Sequence, residues 1–535
     1  MKNKLFFFQH ISFICAFLLI NGLVFLYYQN TVNKTGETYV YPLDDTYIHL
    51  AVAKNAALHN NWGVTRYEFS SSSSSPIYTF ILSILIKLFG NNTMYPLFVN
   101  IFFGNLIIII LYAFIKDKIW FLVLVIFLCT PVLLHIQILS GMEHTMHIFL
   151  ILAAFILFSK LVDNDFINKK EHILFLFVIS LLCLTRYESM FFIFPILFIL
   201  LLNKQKRLLL FTFIAGFLPV LLFGLWSINL GGFFFPNSLL LKGDINANGR
   251  FFSIILHYAQ KFYPIANSSV FMGAIITILV IITQCFFVDK NYNFNGFTKF
   301  IKKHALAFIT CTTVFLHILF ASIGWLFRYE AYLLTLLYLT LFILIYRNVD
   351  IVKNGIRIAV VVITLIMILP GIAGRMHGSH RTLLQAGKNI HDQQIQMSRF
   401  LNAYYNDAKV IANDIGAITY FTDIKLKDTV GLGSNDIASM RRRAIGWRGL
   451  STILQKYDQY NMIIIYDSRH GINSNADYEY LGLIKIAELW IVNNVIAANN
   501  RVSFYTSDET MAEEMRMNML HFKESVPAEV TIIVF

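Results

Sequence analysis

The sequence predicts a mainly α-helical, polytopic membrane protein with a soluble α/β domain at its C-terminal end. Of its 535 residues, 57% are hydrophobic and only 14% are charged, and its mean hydropathy is +0.62. Soluble globular chains carry about 25% charged residues, so this composition places the chain among membrane proteins. The long apolar runs stop near residue 372, after which the composition becomes that of an ordinary soluble domain.

The first apolar run, residues 5–28, is the earliest predicted span. It is long enough to cross a bilayer and too long for a signal-peptide core, and no small-residue cleavage pattern follows it. We therefore interpret it as an uncleaved anchor. Because Lys2 and Lys4 precede it, the positive-inside rule places the N-terminus in the cytoplasm and the loop 29–75 outside.

The second apolar run, residues 76–90, is ambiguous. It offers roughly 14 apolar residues where a straight span needs about 20, and it contains Lys87. We predict a re-entrant or interfacial helix here. With residues 5–28, the predicted count is about eleven spans, and the other ten lie at residues 94–115, 119–139, 146–163, 172–185, 189–202, 208–229, 264–288, 304–323, 329–346 and 355–372. This count places the clusters of lysine and arginine in the cytoplasm, leaves a second outer loop at 230–263 and puts the C-terminus outside.

Residues 1–372 form the predicted membrane module, and residues 373–535 form the predicted outer domain. Apolar and β-branched runs predict strands at residues 409–414, 425–432, 461–467, 501–507 and 529–535. Helical periodicity predicts helices at residues 434–445, 447–457 and 507–520. Strands that alternate with helices are typical of an α/β domain.

Charge and cysteine usage exclude two classes of function. The net charge is +12, but the basic residues are scattered between apolar runs, which indicates topology signals in cytoplasmic loops rather than a nucleic-acid surface. The five cysteines lie in or beside apolar segments without CxxC spacing, so disulfide frameworks and cysteine metal sites are not expected. The sequence also lacks a Walker A loop and a GxGxxG motif, which argues against an ATP-driven machine.

Ionisable side chains collect at the outer ends of the predicted spans. They are Asp44, Asp45, Glu143, Arg186, Glu188, Lys242 and Arg328. Charged residues at membrane depth are costly and usually face a cavity or one another. Single members of this set can instead be interfacial anchors whose long side chains reach water. Since the whole set lies on one side, we favour a functional site.

Two adjacent carboxylates, Asp44 and Asp45, follow the first span. Asp45 stands where an N-cap is expected, ahead of the alanine-rich stretch TYIHLAVAKNAA, so its alternative role is to start a helix. Asp44 has no such role. Neighbouring anions repel, which raises one pKa towards a value that suits a general base.

Several motifs resemble those of GT-C membrane glycosyltransferases, and the pattern is closest to the cell-wall arabinofuranosyltransferase-like group. DDTYIHLAVAKNAALHNNWGVTRYEFSSSSSSPIY resembles the first external loop of that group. SGMEHT resembles its glycine-hydrophobic-glutamate step, and LTRYES resembles its Arg-Pro-Glu step with Tyr187 in place of proline. FFFPNSLLLKG resembles its Pro-Asn turn followed by lysine, and FRYEAY resembles its late Arg-Tyr element. These motifs span residues 40–335 in the expected order.

The resemblance implies an inverting transfer from a polyprenyl-phosphate sugar. It implies Asp44 as the general base, with Asp45 as the alternate. The leaving phosphate needs cationic partners, and Arg328, Arg186 and Lys242 match the motifs that would supply them. The implied acceptor is a hydroxyl of an envelope glycan, glycolipid or protein on the outer side of a bacterial inner membrane.

Further residues of the same motifs are candidates for substrate binding: His49, Tyr47, Glu143, Glu188 and Asn237. His49 lies one helical turn past Asp45, although a partly exposed interfacial histidine is the simpler reading. Glu143 would orient the acceptor or an arginine, or merely help to start a helix. Glu188 would contact substrate or simply pair with Arg186. The serines at 70–75 could bind sugar or phosphate, but a flexible linker is the default reading.

No cofactor is required on this reading, and a divalent cation stays open because Asp44, Asp45 and Glu143 are oxygen ligands. The expected partners are the lipid-linked donor, the acceptor and the bilayer, without nucleic acid. The main alternative is a transporter or flippase, which would place charged or broken-helix features near the midplane, often in paired halves. A third reading is an envelope scaffold whose outer domain binds a partner.

Overall fold

The computed structural model describes most of the chain. The described residues are 2–36, 38–242, 275, 278, 279, 297–322, 324–347, 355–443 and 449–535, without the side chains of 2–9, 242, 297–299, 345–347 and 355–372. Apart from residues 275, 278 and 279, the predicted span 264–288 lies outside this part. The same holds for residues 243–263 of the predicted loop 230–263 and for the side chain of Lys242.

The N-terminal part folds almost entirely into helices, as its apolar composition predicts. In chain order they are α1 (Lys2–Thr35), α2 (Asp44–His59), α3 (Pro76–Phe89), α4 (Tyr95–Phe114), α5 (Lys118–Cys129), α6 (Leu134–Leu139), α7 (His144–Asp163), α8 (Lys169–Thr185), α9 (Met190–Leu202), α10 (Lys206–Asn229), α11 (Asn237–Lys242), α12 (Phe297–Lys303), α13 (Ala305–Phe320), α14 (Ala331–Arg347) and α15 (Gly355–Ile390).

Several of these helices can cross a membrane by length and hydropathy. Within the described residues there are four of them: His10–Thr35 of α1, together with α4, α7 and α10. Shorter apolar helices include α3, α5, α13 and the stretch Tyr187–Leu202. The protein is therefore a helical membrane protein, whereas the count of eleven spans stays a prediction.

One predicted span, 119–139, is wrong, because two helices occupy it. α5 ends at Cys129 and α6 begins at Leu134. Pro131 lies in the connection and lacks a backbone N–H, and Leu133 has a left-handed φ of 56°. The break leads into a segment in which every residue from 131 to 148 is buried, including Glu143.

The helix α2 begins at Asp44, two residues earlier than an N-cap at Asp45 would place it. Its N-cap is Leu43, which makes no side-chain capping bond, so the N-cap role expected for Asp45 is wrong. Asp44 and Asp45 both lie in the first turn, where the helix dipole stabilises a negative charge. The run 76–90 forms the helix α3, with Pro76 at its start as helix geometry favours. Its depth in a bilayer stays a prediction.

The C-terminal part is an α/β unit. α15 runs through the predicted boundary at residue 373 and continues through a π-helical turn at His391–Ile395 into α16 (Gln396–Tyr404). The other helices are α17 (Ala417–Tyr420), α18 (Asn435–Arg443), α19 (Leu450–Lys456), α20 (Asn475–Tyr480) and α21 (Glu509–Lys523). The strands are β1 (Lys409–Ala412), β2 (Lys425–Asp428), β3 (Met462–Ile465), β4 (Ile484–Trp490), β5 (Arg501–Thr506) and β6 (Thr531–Val534).

These strands form one mixed sheet in the order β2-β1-β3-β5-β4-β6. β1 pairs in parallel with β2 and β3, whereas β5, β4 and β6 continue the sheet with antiparallel pairing. The five predicted strands are present. β4 is the strand that sequence patterning missed.

The two parts of the chain share a hydrophobic core. Ile48 and Val52 of α2 belong to the same buried cluster as Val410, Ile415 and Ile418 of the α/β unit. Burial of such aliphatic side chains stabilises by about 1.5–3 kcal/mol each. The α/β unit is thereby packed directly on the helix that carries the acidic pair.

Candidate active site

Asp45 is paired with a cation that is distant in sequence. Its Oδ2 lies 2.6 Å from Nη2 of Arg328. The Arg328 side chain is only 2% exposed, whereas that of Asp45 is 25% exposed. The acidic pair and the late Arg-Tyr motif therefore meet in space, as the sequence predicted, with Asp45 as the partner that retains access to solvent.

Asp44 is bound by the C-terminal unit. Its two carboxylate oxygens accept hydrogen bonds from the backbone amides of Gly416 and Ala417, each 2.8 Å long. These amides belong to the start of α17, where N–H groups lack partners within the helix. Asp44 thus joins the membrane module to the α/β unit.

Lys54 binds the other end of α17. Its Nζ donates to the carbonyl oxygens of Tyr420 (2.7 Å), Thr419 (3.3 Å) and Thr422 (3.4 Å). Lys54 is buried, and this burial lowers its pKa. The helix α2 therefore supplies an anion to the start of α17 and a cation to its end, as the helix dipole favours.

A second carboxylate, Asp414, lies close to Asp44. Asp414 accepts hydrogen bonds from Gln394 Nε2 at 2.7 Å and from the Tyr466 hydroxyl. Burial, and then the charge of Asp414, raise the pKa of Asp44 to about 7, although the two amide hydrogen bonds act in the opposite direction. Gln394 lies in the π-helical turn, a feature that is frequent at functional sites.

Glu143 is the hub of a buried polar cluster. It is fully buried, and its Oε1 accepts from Nη1 of Arg186 at 2.6 Å and from the Ser74 hydroxyl at 3.0 Å. Its Oε2 lies 3.3 Å from Nε2 of His49. Of the three alternatives open from the sequence, this arrangement matches Glu143 as a residue that positions an arginine.

The other ring nitrogen of His49 is also occupied. Its Nδ1 lies 2.8 Å from the Thr79 hydroxyl and 3.1 Å from the Ser73 hydroxyl. His49 is 2% exposed. The partly exposed interfacial histidine considered above is therefore wrong, and His49 lies behind Glu143.

The serine run is part of this packing. Ser70–Ser73 and Ser75 are buried, and Ser70 and Ser72 hydrogen bond to each other at 2.9 Å. The default reading of this segment as a flexible linker is therefore wrong.

Arg186 and Arg328 flank one aromatic ring. Their guanidinium carbons lie 5.5 Å and 5.0 Å from the centroid of the Tyr329 ring, within cation–π range. Arg186 also binds Glu188, with 2.5 Å between Nη2 and Oε1, so the pairing alternative for Glu188 is present. Both guanidinium groups thus lie against one ring, and each is also paired with a carboxylate.

Arg328 has hydrogen-bond donors that are not used within the protein. Its Nε and Nη1 are buried and have no hydrogen-bond partner among the described residues. Unpaired buried donors are costly unless a ligand completes them. A phosphate group, whose oxygens match the guanidinium fork, is the ligand type that such an arginine binds best.

A strained turn places Arg328. Gly324, Trp325, Leu326 and Phe327 all have positive φ values, between 44° and 89°. For non-glycine residues a left-handed conformation costs roughly 1–2 kcal/mol each. Arg375 Nη2 and Gln137 Nε2 both donate to the Phe327 carbonyl at 3.0 Å, and Arg375 also pairs with Glu330 at 2.7 Å. Packing from other helices thus stabilises a conformation that local preferences oppose, as is common at functional sites.

Two of the residues predicted to bind substrate, Tyr47 and Asn237, make structural contacts, and their role in binding stays a prediction. The Tyr47 hydroxyl accepts from the Tyr41 amide at 3.2 Å, inside the core. Asn237 donates to the Leu432 carbonyl at 3.1 Å and to Asn435 at 2.8 Å, which ties α11 to the α/β unit. The side chain of Lys242 lies outside the described residues.

Sequence reasoning missed Tyr329, Asp414 and Lys54 as members of the site region. Tyr329 was visible inside the quoted motif FRYEAY, and Asp414 inside the predicted strand 409–414. No sequence pattern indicated a role for Lys54, which is one lysine in an alanine-rich helix. Among the described residues no group of three or more metal-binding side chains is found.

Comparisons with known proteins bear on the fold. A family model for a domain of unknown function, DUF8728, matches residues 388–505, which is less than half of the chain. No curated protein matches the sequence. ArnT from Cupriavidus metallidurans, solved bound to undecaprenyl phosphate and in the apo state, is similar at 11% identity and a TM-score of 0.50 over 92% of this chain and 98% of ArnT. An oligosaccharyltransferase from Archaeoglobus fulgidus is 12% identical over 96% of this chain and 74% of its own length, with a TM-score of 0.49.

The chain shares its fold with ArnT, since the likeness covers nearly the whole of both chains. The assignment to the GT-C glycosyltransferases, and the closer one to the arabinofuranosyltransferase-like group, stay predictions.

Proposed function

We propose that the protein is a glycosyltransferase that uses a polyprenyl-phosphate sugar as its donor. The sugar is transferred, with inversion, to a hydroxyl of an envelope glycan, glycolipid or protein on the outer side of a bacterial inner membrane. The observation that carries this proposal is the buried contact between Asp45 and Arg328, beside Arg186 and around Tyr329. ArnT, whose fold this chain shares, has been solved with undecaprenyl phosphate bound, which supports a lipid phosphate ligand.

The cations bind the leaving group. As the bond between the anomeric carbon and the phosphate oxygen breaks, negative charge grows on the lipid phosphate. The unpartnered Nε and Nη1 of Arg328 donate to it, and Arg186, fixed by Glu143 and Glu188, lies on the other side of the Tyr329 ring. Lys242, at the end of α11, is the third proposed cation.

The carboxylate activates the acceptor. The attacking hydroxyl transfers its proton to a carboxylate oxygen while its oxygen forms the new bond to the anomeric carbon, and polyprenyl phosphate leaves with the electron pair. Both oxygens of Asp44 accept backbone amides, and Asp45, whose side chain is 25% exposed, lies beside the phosphate-binding arginine. We therefore favour Asp45 as the base, with Asp44 as the residue that positions it.

The remaining predicted residues support this arrangement indirectly. Glu143 fixes Arg186, and His49 fixes Glu143 from behind. No step of this transfer requires a metal ion.

The test is a transfer assay with defined donors. Membranes that contain the protein are incubated with a panel of polyprenyl-phosphate sugars, and the glycans formed are analysed by mass spectrometry. We expect Asp45→Asn to lower the transfer rate by about 10²–10⁴, the usual contribution of a general base. Asp458→Asn, at an exposed carboxylate far along the chain, is the matched control.

Two outcomes would overturn the proposal. If Asp45→Asn transfers sugar at the wild-type rate, the assignment of the base fails. If wild-type membranes consume none of the donors and the protein instead moves a lipid-linked substrate across vesicles, the flippase reading replaces it.

A further inference from the structure

A polar cavity of about 520 Å³ lies beside α17, outside the cluster of arginines and carboxylates. Its volume falls within the roughly 300–1,000 Å³ of small-molecule sites. Three segments that are distant in sequence line it: residues 91–93 between α3 and α4, residues 402 and 406 in and just after the last turn of α16, and residues 420–423 from the end of α17 onwards. Lys54 completes it from α2.

The charged groups of the cavity are already bound by protein groups. The ammonium of Lys54 donates to the carbonyl oxygens of Thr419, Tyr420 and Thr422. The carboxylate of Asp423 lies 3.5 Å from Nη1 of Arg66. A charged ligand would have to compete with these contacts while it loses hydration, which disfavours it.

Neutral hydrogen-bonding groups dominate instead. Asn91, Asn92, Asn402 and Asn406 lie in the lining, and an amide can both donate to and accept from hydroxyl groups. The ring of Phe421 is 38% exposed at the same cavity. An exposed ring among amides matches a sugar, which has an apolar C–H face and a rim of hydroxyls.

We propose that this cavity binds a neutral oligosaccharide, namely the part of the acceptor glycan that is remote from the reacting hydroxyl. The proposal rests on the proposed function and specifies its acceptor. α17 separates the cavity from the amides that bind Asp44, and four helical residues span about 6 Å. A glycan seated beside Tyr420 and Phe421 therefore lies within reach of the acidic pair.

Binding is measured on the full-length protein in nanodiscs by saturation-transfer NMR, with maltotetraose and mannotetraose as neutral probes and tetragalacturonate as the anionic probe. We expect saturation transfer to a neutral probe. Asn402→Trp, which fills the cavity from an exposed position, is expected to weaken binding at least ten-fold. Asn92→Trp repeats the test from another lining segment if the first variant fails to fold. Asn475→Trp, at an exposed asparagine of α20 remote in sequence, is the control and should bind as the wild type does.

The proposal is overturned if neither neutral probe receives saturation, if tetragalacturonate binds more tightly than both, or if the cavity variants bind as the wild type does. Failure of this proposal can be distinguished from failure of the proposed function, because the NMR experiment measures glycan binding and does not require sugar transfer. Asp45→Asn, which is expected to lose transfer, should still bind the neutral probe.

Discussion

Asp44 and Lys54 lie on the same helix and bind the two ends of α17, a short helix of the C-terminal unit. Asp44 accepts the first amides of α17, and Lys54 donates to carbonyls at its end. The helix that carries the acidic pair is therefore fixed by a part of the chain that enters no predicted membrane span.

Lys54→Met should weaken this attachment. The substitution keeps the length of the side chain but leaves three buried carbonyl oxygens without their donor, at a cost of about 1–3 kcal/mol per unsatisfied group. We expect the thermal unfolding midpoint of the purified protein to fall by several degrees. Lys523→Met, at an exposed lysine of α21, is the control and should change it little. Equal midpoints for the two variants would contradict the role of Lys54.

Gly416→Ala should separate Asp44 from α17. A Cβ at this position would lie 2.1 Å from the backbone oxygen of Asp44 and 2.7 Å from its carboxylate, which is closer than atoms pack. Overpacking of this kind costs typically 1–3 kcal/mol. We expect a lower unfolding midpoint and a lower transfer rate. Gly378→Ala, where a Cβ meets nothing within 4 Å, should have neither effect. Wild-type behaviour of Gly416→Ala would show that this contact is dispensable.

The stability of the protein should carry a pH dependence that originates at Asp44. Its pKa rises from 3.8 to about 7 on folding because of burial and the nearby Asp414. The folded protein therefore holds this proton more tightly than the unfolded chain does. The resulting stabilisation is fully present below pH 3.8 and is lost as the pH rises to about 7. Unfolding midpoints between pH 5 and 8 should fall less steeply for Asp44→Asn than for the wild type. Asp458→Asn is the control and should keep the wild-type slope. If Asp44→Asn also keeps that slope, the assignment of the pH dependence to Asp44 is contradicted.

The hydroxyl and the ring of Tyr329 should make separate contributions to binding of the sugar donor. Its hydroxyl accepts from Arg328 at 3.1 Å, and its ring lies against both arginines. Tyr329→Phe removes only the hydrogen bond, so a few-fold rise in the KM for the donor is expected. Tyr329→Leu also removes the ring, which adds about 0.5–2 kcal/mol of lost cation–π interaction. Steady-state kinetics with a polyprenyl-phosphate sugar measures both. Equal effects of the two variants would exclude a role for the ring.

The sequence located the charged centre because its members carry unusual chemistry. Asp45, Arg328, Arg186 and Glu143 stand out as ions in an apolar chain, and the structure brings them together. The partners of Asp44 could not be predicted in this way. They are backbone amides, which every residue except proline possesses, so no side-chain pattern marks Gly416.

The elements that were missed share one cause, namely tertiary contacts that override local patterns. β4 contains Lys485 and Glu488, which look unsuited to a buried strand. In the fold these two residues pair with each other, and Glu488 also pairs with Arg501 at 3.2 Å, so their charges are compensated inside the sheet. The break at Pro131 was likewise hidden by an otherwise continuous apolar run.

The contact between Asp44 and Gly416 joins residues that are 372 positions apart, which has a consequence for biosynthesis. The ribosome adds 372 residues after Asp44 before the amide of Gly416 that binds its carboxylate exists. Nascent chains and premature termination products that stop short of residue 416 carry the acidic pair without its anchor. Completion of the proposed active site is thus deferred until the C-terminal unit is being synthesised.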